Sequence, residues 1–272
     1  MYDYEQLKND VELLKETYPA AEVFSIGKSV KGRELYTVKL GHGKKTVYYI
    51  GAHHGMEWIT SKLLMKYIFD VYKAQKNGMR LKNIDIDNMF DAATVYITPM
   101  LNPDGVELSK TNKGWQANAN GVDLNHNYDA MWRRGKLEIA REGISAPGPT
   151  KYSGRYPESE PESKAAASFS RNHRIDYAVA FHSQGEVIYW RYGSNIPKGS
   201  RALAEKMAEL SGYELSQTEG TASYSGYKDW FIKAFHRPAF TVEVGRGTNP
   251  LSEYQLPKIY NNMLELLLLP GV

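Results

Sequence analysis

Three apolar, strand-like runs of this 272-residue chain end directly on groups able to ligate a metal or move a proton. They read VYYIGAHHGME, YAVAFHSQGE and AFTVEVGRG, and they carry His53, His54 and Glu57, then His182, then Glu243. Two imidazoles and one carboxylate with an open fourth position form the donor set of a catalytic zinc ion in a peptidase. A further carboxylate beside that set could take a proton from the attacking water. The doubled histidine leaves the choice of ligand open. His53 lies at i,i+4 and His54 at i,i+3 from Glu57, and on one helical turn both spacings share a face. The plainer alternative is a glutamate capping a helix near a hydrogen-bonded histidine, because short His-x-x-Glu matches arise by chance. That alternative does not explain why His182 also closes a strand.

These side chains can meet only if the strands lie side by side. The pattern alternates strand-like and helix-like segments to its end, which predicts one α/β layer structure whose strand ends open on a common crevice. Leu7, Val11 and Leu14 mark a first amphipathic helix. AEVFSIGKSV and RELYTVKLG form a predicted hairpin, and KTVYYIGA a buried strand. ITSKLLMKYIFDVYKA carries a helical apolar stripe, and AATVYITPML is a second buried strand running into NPDG, a turn signal. The segment from about 106 to 158, rich in Asn, Gly, Lys and Ser, reads as long irregular loop of the kind that usually carries function. Ser159 and Glu162 form a capping-box pattern ahead of a helix. DYAVAF is a short strand ending at His182, SRALAEKMAELSG a helix with a glycine stop, RPAFTVEV another short strand, and the C-terminal leucine-rich stretch a closing helix. No internal repeat or linker composition interrupts the chain, so a single domain over 1–272 is expected.

Composition narrows the function classes. A net charge of +3 is too small and too evenly spread to point to nucleic acid or an anionic membrane. No run of about 18 apolar residues exists to span a bilayer. The absence of cysteine removes disulfides, thiolate-ligated zinc and thiol catalysis together. No signal-like apolar segment heads the chain, so a cytoplasmic protein is expected, or an extracellular one if a leader has been trimmed. The 20 tyrosines suit peptide or sugar-linked ligands, and equally a tyrosine-rich core. Other candidates are weaker: DIDNMFD at 85–91 opens like a calcium loop but lacks its Gly and distant Glu, and is expected to be solvated loop. His42, His173 and His236 have no acidic partner at ligand spacing and are expected to be surface or structural.

Taken in order, GAHHGMEWIT, TPMLNPDG, GVDLNHNYD, YSGRYPESEPES, AFHSQGE and FTVEVG resemble the metallocarboxypeptidases of the carboxypeptidase A type over residues from about 30 to 267. The resemblance implies a mixed, about eight-stranded twisted sheet with helices on both faces. It implies one Zn2+ ion held by His54, Glu57 and His182, with Glu243 as the catalytic base. It leaves His53 to packing or to support of the ligands. It implies zinc polarising the scissile carbonyl while Glu243 takes a proton from water and hands it to the leaving amine.

The chain also departs from that pattern. Where the family clamps a terminal carboxylate with an Asn-Arg pair, this sequence has Asn125 and His126, and histidine cannot offer a bidentate fork. The family's oxyanion arginine falls on Gln116, and its mobile tyrosine has only the neighbours Tyr224 and Tyr227. Lys228, ahead of Asp229-Trp230, stands where the family lines its side-chain pocket and would favour a carboxylate; Arg246 would add a second cation. HSQGEVIYW and VEVGRGTNPL are most similar to bacterial γ-D-glutamyl-diaminopimelate peptidases, and Lys228, Arg246 and Glu186 would suit that zwitterionic side chain. The expected function is therefore hydrolysis of the γ-D-glutamyl–diaminopimelate bond of peptidoglycan stem peptides by a monomer. A carboxypeptidase removing acidic C-terminal residues is the alternative, and a catalytically dead peptide-binding module is a more distant one, since all four zinc-site positions are intact.

Overall fold

Alternation along two neighbouring strands builds two cores at once. In the strand Lys45–Gly51, Val47 and Tyr49 face one way and Tyr48 and Ile50 the other. In Tyr177–His182, Val179 and Phe181 oppose Ala178 and Ala180. Every residue named is buried, so these runs read as continuous apolar sequence, as expected of strands covered on both faces. Each large apolar side chain removed from water in this way stabilises the fold by about 1.5–3 kcal/mol.

The computed structural model describes residues 1–271. Its elements in chain order begin with α1 (Tyr4–Thr17), β1 (Glu22–Lys28), β2 (Glu34–Leu40), β3 (Lys45–Gly51) and α2 (Ile59–Lys76). A small ribbon of β4 (Arg80–Leu81) and β5 (Ile84–Asp85) leads into α3 (Ile86–Ala92), β6 (Ala93–Thr98), α4 (Pro103–Ser109) and α5 (Trp132–Arg141). Then come α6 (Pro161–Asn172), β7 (Tyr177–His182), β8 (Val187–Tyr189), α7 (Ser200–Ser211) and β9 (Glu214–Ser216). The chain closes with α8 (Tyr227–Phe235), β10 (Ala239–Glu243) and α9 (Leu256–Leu267).

The main sheet has eight strands in the order β1-β2-β6-β3-β7-β10-β8-β9. Its centre, β6-β3-β7-β10, is parallel, and β2 and β8 flank it antiparallel. Helices α1, α2, α7 and α9 cover one face, and α6 and α8 the other. The mixed eight-stranded expectation therefore holds. From β3 the chain moves to β6 on one side, and β7 then takes the other side. That reversal leaves a crevice at the carboxyl ends of β3 and β7. No helix among the described residues is long and apolar enough to cross a membrane.

Four local expectations need correction. DIDNMFD is not a solvated loop but helix α3, started by the Asp85 side chain accepting from the Asn88 N–H and held by buried Ile86 and Met89. NPDG is the start of α4: Asn102 caps it, and Pro103 sits in its first turn, where no N–H is required. The stretch 106–158 is not irregular throughout, since it holds the end of α4, a 3-10 turn at Leu124–His126, and α5. The Ser159–Glu162 capping box does not form. Ser159 donates to the Glu160 carboxylate, while Glu162 accepts from the Val30 N–H and from Asn118, so tertiary partners displace the local pair.

Candidate metal centre and catalytic cleft

Past β3 the chain turns through Ala52, whose φ of 48° is left-handed, into a 3-10 turn at Gly55–Glu57. Gly55 is required here because a Cβ would stand 2.2 Å from the Gly105 carbonyl carbon. The Asn102 carboxamide donates to the carbonyls of His53 and Gln116, both at 3.0 Å, and the Thr60 hydroxyl accepts from the Ala52 N–H. The turn is thereby fastened to the start of α4 before any ligand is considered. His182 and Glu243 come from neighbouring parallel strands in direct register. They have the same parity as Ala178, Ala180 and Ala239, so both are set by the pleat on one face of the sheet.

The His54 Nδ1 atom lies 2.9 Å from Glu57 Oε1, and His182 Nδ1 lies 2.9 Å from Glu57 Oε2. The three donor atoms fall within 4.8 Å of one another, and no other such group occurs among the described residues. At its far side, His54 Nε2 lies 3.1 Å from Asp123 Oδ1. If Nε2–H is given to Asp123, the Nδ1 lone pair of neutral His54 faces the lone pairs of a carboxylate. A shared proton or a shared cation resolves that conflict, and the two-nitrogen, one-oxygen donor set fits zinc. His53 lies apart from this group. It is fully buried, with Nε2 3.1 Å from the Tyr128 hydroxyl and its ring stacked on His182 at 5.3 Å.

Electrostatics mark the same place. Burial alone would raise the Glu57 carboxyl, but His54 and His182 outweigh it and hold it at about 2. Asp123 is likewise held well below the carboxylate range by His54 and His126 against its burial. His54 resists burial and is pushed well up by Glu57 and Asp123, whereas His53 is pushed well down by burial and by its two histidine neighbours. Burial and then the charge of Glu57 push Glu243 well up, giving the proton affinity a general base needs.

His54 and Glu243 line a cleft of about 620 Å³ together with Asn125, His126 and Lys228. Asn125 Oδ1 accepts from the Tyr227 N–H, which leaves its NH2 end for a ligand. Burial lowers His126 despite Asp123, so it presents a neutral imidazole with an unpartnered, buried Nδ1. The other expected binding residues differ. Lys228 reaches the cleft wall, but its ammonium is held by Asp229 and by the Arg191 carbonyl at 2.7 Å, so it is not a free cation. Arg246 and Glu186 do not line the cleft. They pair with each other at 2.6 Å, because the chain turns through left-handed Gly245 and leaves Arg246 68% exposed. Tyr224 faces an adjoining cavity under the Arg134 guanidinium, and Tyr227 is buried with its hydroxyl on Ser170. The Gln116 side chain accepts from Thr150, while its carbonyl accepts from the Gly55 N–H, so it braces the metal-side turn and is not a cleft residue.

Asp123 was not singled out from sequence. The signal lay inside GVDLNHNYD, where it precedes Asn125-His126. The same carboxylate accepts from the Asn125 and Lys151 N–H groups, so one residue shapes the cleft loop and orients His54.

The profile of a protein family described as zinc carboxypeptidase matches residues 7–266. Gamma-D-glutamyl-L-diamino acid endopeptidase 1 of Lysinibacillus sphaericus is 36% identical over 98% of this chain and 71% of its own length. Human carboxypeptidase A6 is 30% identical over 89% of this chain and 60% of its own. Among solved structures, bovine thrombin-activatable fibrinolysis inhibitor superposes with a TM-score of 0.82 at 22% identity, covering 99% of this chain and 95% of that one. The murein-tripeptide amidase of Escherichia coli O157 superposes with a TM-score of 0.63 at 22% identity, over 90% of this chain and 91% of that one. At such identities these two likenesses speak for the fold.

Proposed function

Because the chain belongs to the zinc carboxypeptidase family, we propose that it hydrolyses the bond between γ-D-glutamate and diaminopimelate in peptidoglycan stem peptides. The observation that carries the hydrolytic reading is the convergence of His54, Glu57 and His182 at a cleft that His54 and Glu243 line together. The choice of substrate rests on the likeness to the L. sphaericus endopeptidase.

In this reading His54, Glu57 and His182 hold one zinc ion. When bound, zinc supplies Lewis acidity toward the scissile carbonyl and the attacking water. Glu243 takes the proton from the water as the nucleophile adds and returns it to the departing amine. A carboxyl with raised proton affinity suits both transfers. Asp123 keeps the His54 ring in the tautomer that turns Nδ1 inward. Asn125 offers its amide donor, and His126 a neutral imidazole, to the substrate backbone. With no guanidinium on Asn125's neighbour, a plain terminal carboxylate loses its bidentate partner, which disfavours ordinary carboxypeptidase action.

Incubation of the zinc-loaded protein with L-Ala-γ-D-Glu-diaminopimelate, followed by mass spectrometry, tests the reading. Release of L-Ala-D-Glu is expected. An untouched peptide alongside trimming of acidic C-terminal residues from ordinary peptides would replace it with the carboxypeptidase.

A further inference from the structure

Two cations expected from sequence to read the substrate side chain are already neutralised, Lys228 by Asp229 and Arg246 by Glu186. Beside the cleft, two others have no carboxylate within ion-pair reach among the described residues: Arg134 of α5 and Arg191 just past β8. Both line a side cavity of about 420 Å³. That cavity shares Gln217 and Thr218 with the catalytic cleft, so the two spaces meet along one wall.

The cavity is furnished with donors. The Arg134 guanidinium lies 5.3 Å from the centre of the Tyr224 ring, which steadies the cation without neutralising it. The Arg191 guanidinium donates to the Gln217 carboxamide, and the Arg191 carbonyl accepts from Lys228 at 2.7 Å, tying this cavity to the wall of the cleft. Tyr192, which also lines the cavity, has a buried hydroxyl with no hydrogen-bond partner. Burial lifts that phenol to about 12 even with the Arg134 charge opposing, so it stays a donor at neutral pH. Guanidinium groups cannot accept hydrogen bonds, and a buried phenol without a partner is costly. Two cations without a carboxylate partner lining one small space, with an unsatisfied O–H buried in its wall, call for an anionic acceptor.

We propose that Arg134, Arg191 and Tyr192 form a carboxylate subsite that receives the distal end of the residue on the amine side of the cleaved bond. The enzyme thereby selects a diamino acid that bears a side-chain carboxylate over one, such as lysine, that ends in an amine alone. This inference rests on the peptidase reading above, which names diaminopimelate, and assigns the residues that read its distal acid. Charge-assisted hydrogen bonds in such a partly open site are worth on the order of tenfold in affinity.

The test separates binding from turnover. In a Glu243→Gln background, which keeps the peptide whole, calorimetry compares L-Ala-γ-D-Glu-diaminopimelate with the same peptide amidated at its distal carboxylate. The free acid should bind roughly tenfold or more tightly. Arg134→Gln combined with Arg191→Gln should bring that ratio to near one, Tyr192→Phe should lower it less, and Arg191→Lys should restore part of it. Equal affinity for the two peptides, or a ratio that survives the double substitution in a protein of unchanged melting temperature, overturns the subsite. Cleavage by the Glu243-intact protein is scored separately. If it cuts both peptides without preference, the subsite falls and the peptidase reading stands; if it cuts neither, that reading falls whatever the calorimetry gives.

Discussion

Asp123 holds His54 from behind: its Oδ1 lies 3.1 Å from His54 Nε2, while His54 Nδ1 lies 2.9 Å from Glu57 on the opposite side of the ring. The carboxylate thus decides which nitrogen faces the metal position. Asp123→Asn removes the charge and can present an N–H to Nε2. Zinc affinity measured by competition with a chelator should fall by roughly 10- to 100-fold. An unchanged affinity would mean that Asp123 serves only the loop at Asn125.

The doubled histidine gives a paired test. His54 offers Nδ1 to the three-donor group, whereas His53 stacks on His182 and touches the Tyr128 hydroxyl. Metal content after dialysis against zinc should drop to background in His54→Ala and be reduced but measurable in His53→Ala. The reverse ranking would assign the ligand to His53.

Glu243 contributes no atom to that donor group, so Glu243→Gln should keep its zinc. Its kcat should fall by about 100-fold or more, as loss of a general base does. A full complement of metal with near-native turnover would place the proton transfer elsewhere.

His126 stands in the cleft as a neutral, partly unpartnered imidazole. His126→Arg would place a fork-shaped cation beside Asn125. Activity on peptides ending in a free α-carboxylate should rise relative to activity on the γ-D-glutamyl peptide, as read by kcat/KM on both. If the ratio stays put, this position does not face the terminal carboxylate.

Glu162 predicts a pH effect away from the chemistry. Burial, with Asp104 adding to it, raises its carboxyl from the ordinary 4.5 to about 7. The folded chain therefore holds this proton more tightly than the unfolded chain. Between about pH 4.5 and 7 unfolding releases it, and the stability tied to it, full below 4.5, is lost as pH rises through 7. The difference is about 3 kcal/mol at most. Glu162→Gln, neutral at every pH, should melt higher than the parent at pH 8 and close to it at pH 5. Equal differences at the two pH values would remove the titration argument.

Local pattern carried far in this chain because backbone dihedrals and strand parity are local properties. Apolar runs ending at His182 and Glu243 were enough to point both toward one crevice, and apolar spacing marked α1, α2 and α9. Local signals failed where a distant group competed for the same atoms. The Ser159–Glu162 capping box is one case, with Val30, 132 residues away, taking the glutamate. The cleft shows the limit most clearly. Residue types and strand ends by themselves announced a histidine–carboxylate metal site. The family resemblance pointed to His54 rather than His53, and only the tertiary structure sets His54 and His182, the latter 125 residues from Glu57, on either side of that carboxylate. Tertiary structure likewise decided which cations are neutralised, silencing Lys228 and Arg246 and leaving Arg134 and Arg191 without a carboxylate partner among the described residues. Charge neutralisation depends on distance through space, and the order of residues along a chain does not state that distance.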